Sequence, residues 1–234
     1  MMHYQFSSYL KTYVERDVRL SMDSSSLQAF TQFVQILAAL TAQEINFNQL
    51  GREIGVAGAT AKKWLVTVEQ GYQWWTIPSY GKSGIKRVTH KPKGYMTDTG
   101  LACYLQHITS AEHVMSHPLR GALFETYVAN LVQAILCAMP IGVQLWHWRS
   151  DGGAEVDLII EKDGALYPIE IKMKAMLSKH DARGIHAFRA TYHSVRTPVR
   201  HGLLIYAGTD AYRIDEHVTA MPWNAVCRMN SAGD

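Results

Sequence analysis

The stretch GAEVDLIIEKDGALYPIEIK, residues 153–172, places an aspartate and a Glu-x-Lys where two strands would face each other. Val156, Leu158 and Ile160 alternate along the first strand, which turns Glu155, Asp157, Ile159 and Glu161 to the other side. In the second strand Glu170 and Lys172 share a face opposite Ile169 and Ile171. Asp163-Gly164 is a strong signal for a two-residue hairpin loop. Such a loop sets Lys162 against Ala165, Asp157 against Glu170, and Glu155 against Lys172. Directly opposed Cβ atoms lie about 4.5–5.5 Å apart, and like charges held there repel. A hard divalent cation, Mg2+ or Mn2+, would reconcile the two carboxylates. Lys172 would then orient a metal-bound water, or offset charge developing on a phosphate. The competing expectation is ordinary ion pairing, Lys172 with Glu155, and Glu125 with Arg120 or Arg149, each worth little at a surface.

Glu125 enters as a third oxygen donor. A helix is expected over 119–136, with Phe124, Val128, Leu131, Val132 and Ile135 on its apolar arc and Glu125 at the border. A carboxylate there is partly desolvated and needs a partner. Around the hairpin, strands are expected over 143–148 and 202–207, and a helix over 182–192. That order makes an α/β domain with a mixed sheet.

The preceding half is α-rich. A polar helix over 4–19 and a Ser-rich break fill residues 1–26. A second helix starts near Ser26, with Leu27, Phe30, Phe33, Val34, Leu37 and Leu40 at helical spacing. Asn46 or Asn48 caps a short helix, Gly55 and Gly58 bracket a turn, and a helix over 59–70 buries Ala61, Trp64, Leu65 and Val68. This is a helix-turn-helix pattern. WWTIPSYGKSGIKRV reads as two strands and a tip, the wing of a winged helix, and KPKGYMTDTGLACYL as a strand, a turn and a short helix. A loop is expected over 109–118. Between Lys62 and Lys93 seven basic residues stand against the single acid Glu69. Thr60, Lys62, Lys63, Lys82, Lys86 and Arg87 are accordingly the expected contacts to a DNA phosphate backbone. A merely solvated basic face, or a protein contact, is the alternative. Trp74 and Trp75 are expected to pack against the second helix of this motif rather than stack on bases. The expected division is 1–26, a winged helix-turn-helix domain over 27–105, and the α/β domain over 106–234.

Other chemistries find little support. Cys103, Cys137 and Cys227 are odd in number and far apart, which favours a reducing cytoplasm over a disulfide framework or zinc cluster. The eleven histidines form no H-E-x-x-H, and no G-x-S-x-G elbow occurs. No apolar run approaches the roughly 18 residues of a membrane span. Gly81-Lys82-Ser83 echoes a P-loop, but Thr76 stands where its first glycine belongs, so no ATP site is expected.

Glu125, Asp157, Glu170 and Lys172 resemble the PD-(D/E)xK phosphodiesterase superfamily, in which a helix gives a Glu, one strand an Asp and the next an E-x-K. Here Val156 replaces the leading proline. The resemblance implies a restriction endonuclease-like fold. The phrases YLKTYVERDVR, GYMTDTGLACYL, HPLRGALFETYV, WHWRSDGGAEVDLII and YPIEIKMK further resemble the C-terminal region of bacterial and archaeal AAA+-type ATPases, a domain of unknown function behind a winged helix. That resemblance implies an ATPase core N-terminal to this part, so the chain is expected to be a fragment or a truncated product. Two functions follow: a metal-dependent nuclease directed to DNA, or a catalytically silent module binding nucleic acid or protein for an attached ATPase.

Overall fold

The computed structural model describes residue 6 and residues 24–81, 91–139, 142–194 and 197–226. The chain forms two compact units that exchange a segment: residues 1–76 with 94–126, and residues 77–93 with 127–234. The sequence divides the chain after residues 26 and 105, whereas the compact units cross over at 77–93. The expected helix over 4–19, residue 6 excepted, and Lys82, Lys86, Arg87 and Cys227 lie outside the described residues.

In the first unit, helix α1 (Ser24–Ala39) buries Phe30, Phe33, Val34, Leu37 and Ala38, the expected apolar stripe. Strand β1 (Gln43–Glu44) leads to α2 (Phe47–Glu53), whose first turn is capped by the Asn46 side chain accepting from the Gln49 N–H. The turn that follows needs two glycines for different reasons. Gly55 takes φ +72°, and a Cβ on Gly51 would meet the Val56 carbonyl at 2.6 Å. Helix α3 (Gly58–Gln70) buries Ala61, Trp64, Leu65 and Val68, and Phe30 and Phe33 meet the Trp64 ring edge-on. Strands β2 (Trp74–Ile77) and β3 (Lys93–Met96) join β1 in a sheet of order β1-β3-β2. Trp74 is buried in the same core as Trp64, while Trp75 stacks on Tyr95 at 4.7 Å. Helix α4 (Thr99–Leu105) is capped by Asp98.

One expectation fails here. The loop over 109–118 contains a short helix, α5 (Ala111–Ser116), capped by Ser110. None of its residues is buried, so no apolar period announced it.

Helix α6 (Arg120–Cys137) belongs to the first unit as far as Thr126 and to the second from Tyr127. The second unit is a six-stranded mixed sheet of order β4-β5-β6-β7-β9-β8, with β4 (Val143–Arg149), β5 (Glu155–Lys162), β6 (Ala165–Lys172), β7 (Gly202–Tyr206), β8 (Tyr212–Arg213) and β9 (Val218–Pro222). Strands β4, β5 and β6 are antiparallel, while β6, β7 and β9 run parallel. Helix α7 (Arg183–Tyr192) sets Phe188 in one core cluster with Trp148, Val156 and Ile159, and Ile185 in another with Leu204 and Val218. The exchanged segment also belongs to this unit. Tyr80 donates its N–H to the His147 carbonyl at 2.7 Å and seats its ring among Trp146, Phe188 and Tyr192. Among the described residues, no helix is long and apolar enough to cross a membrane.

Candidate functional site

The hairpin forms as its loop residues dictate. Asp163 (φ +51°) and Gly164 (φ +72°) both sit in the left-handed region, as a two-residue turn of this hand requires. Pairing runs from Lys162↔Ala165 to Leu158↔Ile169, the register a two-residue loop dictates, and ends one residue short of Asp157 and Glu170. Both are buried, at 3% exposure each.

Strand β5 does not keep strict alternation. Its pairing with β4 slips between Ile159↔Trp146 and Val156↔Trp148, so one extra residue is accommodated beside Asp157. Val156 therefore joins Ile159 in one apolar cluster, where regular alternation would send them to opposite faces. Glu155 is half-exposed, with Arg149 3.8 Å away. The expected Lys172–Glu155 pair gives way to Lys172 donating to Glu170 Oε1 at 2.5 Å.

Asp157 is held twice. Lys93 Nζ donates to Oδ1 at 2.9 Å, and the Ile171 N–H donates to Oδ2 at 2.9 Å. Burial by itself would raise this carboxyl's pKa. The Lys93 and Lys172 charges and the two hydrogen bonds outweigh burial and hold it below the ordinary carboxylate value. Lys93 is the last residue of the exchanged segment, and its side chain is 10% exposed.

Glu170 and Lys172 open onto a cleft of about 120 Å3 that is also lined by Glu155, His180, Asp181 and Arg183. The first turn of α7 closes on it. A Cβ on Gly184 would lie 1.9 Å from the Glu155 carbonyl oxygen and 3.3 Å from Glu170 Oε2, so only glycine allows this approach. Asp181 completes a capping box with Ser178 and accepts from Lys174 Nζ. Against its burial, these contacts keep its pKa low.

Asp157, Glu170 and Lys172 thus come together in the second unit. Glu125 belongs to the first, where the Tyr95 hydroxyl donates to it at 3.1 Å. Arg120, its expected alternative partner, donates instead to the Met115 carbonyl at 2.9 Å. A divalent cation at these acids would have to compete with the donors already on them. Both Asp157 oxygens already accept, one from an ammonium, and a lysine holds Glu170. Among the described residues no group of three or more His, Cys, Asp or Glu side chains is arranged to hold a metal ion.

On α3, Lys62 and Lys63 are exposed, on the side away from Ala61, Trp64, Leu65 and Val68, while Thr60 is half-buried at the border of that buried face. Sequence reasoning named Lys93 only as one of a basic run. Its Lys-Pro-Lys context carries nothing that separates it from Lys91, and only the fold brings it to Asp157.

Two family descriptions match the chain: a domain of unknown function (DUF8612) over residues 2–112, and a second (DUF4143) over residues 120–226. The uncharacterized protein Rv2008c of Mycobacterium tuberculosis and the uncharacterized protein Mb2031c of Mycobacterium bovis are similar to it. Each is 25% identical over 226 residues, 97% of this chain. The chain spans about half the length of these curated relatives, 49% of each.

Proposed function

We propose that this chain is a DNA-contacting module of an ATPase-associated protein, built as a winged helix followed by a nuclease-like domain. The observation that carries this reading is the outer face of α3, where Lys62 and Lys63 project into solvent from a helix anchored by Trp64 and Leu65. A helix so held can lay its exposed face along a duplex, with the two ammoniums and the Thr60 hydroxyl meeting phosphate oxygens. The order α1, β1, α2, α3, β2, β3 and the sheet order β1-β3-β2 support the winged-helix reading. The common occurrence of DUF4143 in ATPase-associated proteins supports the ATPase context. The test is anisotropy of a labelled duplex across a salt series. Lys62→Glu/Lys63→Glu should weaken binding and reduce the slope of log K against log salt by roughly 2, about one for each lost phosphate contact. An unchanged slope would sink the α3 reading.

A second reading is phosphodiester hydrolysis assisted by Mg2+ or Mn2+. The convergence of Asp157, Glu170 and Lys172 beside an open cleft favours it. In that reading Lys172 offsets the charge of a phosphate in the cleft and Glu170 fixes the lysine's position. Nicking of varied DNA substrates with either ion, wild type against Asp157→Ala, decides between the readings. Equal cleavage by both proteins, or none by either, leaves the binding module.

A further inference from the structure

The acidic site holds a cation already, and it is part of the chain. Asp157 Oδ1 lies 2.9 Å from Lys93 Nζ, and Oδ2 accepts from the Ile171 N–H, so each oxygen already carries one donor and the ammonium supplies the counter-charge. Across the hairpin Glu170 accepts from Lys172. Two ammoniums and two carboxylates cancel in a setting where Asp157 and Glu170 are almost fully buried. A divalent ion entering this cluster would leave a buried excess of two positive charges, which low local polarity punishes. Without Lys93 the same cluster carries one negative charge and an unmatched carboxylate, the setting in which a cation binds.

We propose that Lys93 is the resident cation of this site and that its ammonium and a divalent metal ion occupy Asp157 in mutual exclusion. The inference rests on the second reading above in taking this cluster as the functional acidic site, at which a divalent ion would compete with the lysine donors for the carboxylates. Lysine suits the part. Its compact charge sits on a flexible four-carbon stem, so the head can withdraw without moving the strand that carries it.

The test measures Mn2+ binding to the full chain, by titration calorimetry and by the free-ion EPR signal, with no DNA present. Lys93→Met should bind Mn2+ at least about tenfold more tightly than wild type once the competing charge is gone. Lys93→Met/Asp157→Asn should lose that gain. A folded Lys93→Met that binds no more tightly than wild type overturns the proposal. Because this substitution strips a buried carboxylate of its partner and can unfold the chain, wild type is tested as well, by amine acylation read residue by residue in a mass spectrometer. Lys93 should be protected in metal-free protein and become labelled as Mn2+ rises, while the exposed Lys162 stays equally reactive throughout. Protection of Lys93 that persists at every Mn2+ concentration overturns the proposal. These readouts involve neither DNA binding nor cleavage, so their failure is distinct from failure of either functional reading.

Discussion

Replacing Asp157 with leucine tests how the buried pair contributes to the second unit. The side chains of Lys93 and Asp157 are 10% and 4% exposed, so the pair lacks the solvent screening that makes surface pairs weak. Asp157→Leu leaves a buried ammonium without its counter-charge and the Ile171 N–H without its acceptor. Removing one partner of a buried pair costs about 3–5 kcal/mol, a large share of the roughly 5–15 kcal/mol that stabilises a whole domain. With a urea slope of about 2 kcal/mol/M, the unfolding midpoint should fall by roughly 2 M. Lys93→Met/Asp157→Leu should recover at least about 2 kcal/mol of the summed single losses, because replacing both partners with apolar groups removes the stranded charge.

The pH dependence has a definite sign. The folded pKa of Asp157 lies below its unfolded value, so its contribution is complete above the ordinary carboxylate value of about 3.9. It is lost as pH falls through the depressed folded value. The gap between wild type and Asp157→Leu should therefore be constant near neutrality and shrink in acid. Urea melts monitored by circular dichroism measure both effects. An Asp157→Leu protein within about 1 kcal/mol of wild type, or a double variant as unstable as the singles summed, would refute the reasoning.

Two further substitutions probe the contacts around the site. Gly184→Ala forces a Cβ against the Glu155 carbonyl, a backbone atom that cannot rotate aside, and should cost about 1–3 kcal/mol or more in urea melts; a melt unchanged from wild type would show that α7 does not close on the hairpin. Tyr95→Phe removes the donor to Glu125 from a fully buried ring, and should cost about 1–2 kcal/mol in the first unit, because Glu125 keeps some solvent contact. A Glu125→Gln background should reduce that cost, and an equal loss in both backgrounds would assign it to ring packing instead.

What the sequence disclosed about the site follows the range of the forces involved. The hairpin was legible to the residue because Asp163-Gly164 dictates a local backbone geometry, and local geometry fixes a register. The same register, continued one step, is what sets Asp157 against Glu170 in the sequence, whereas the strand pairing ends at Leu158↔Ile169. The buried face of α3 was legible for the same reason, since its period lies within one helix. The slip in β5 was not, because a bulge depends on the strand paired alongside, and it falls between the partners of Trp146 and Trp148. Nor was the partner of Asp157. Two opposed carboxylates demand a positive charge, and local reasoning supplied an external ion because no cation within the hairpin lay opposite Asp157. In the fold Lys93, 64 residues upstream, donates to Asp157. An electrostatic requirement can thus be read from a few neighbouring residues, whereas the group that satisfies it depends on contacts between distant segments. A paired-acid motif therefore announces a cation without saying whether the chain or the solvent provides it.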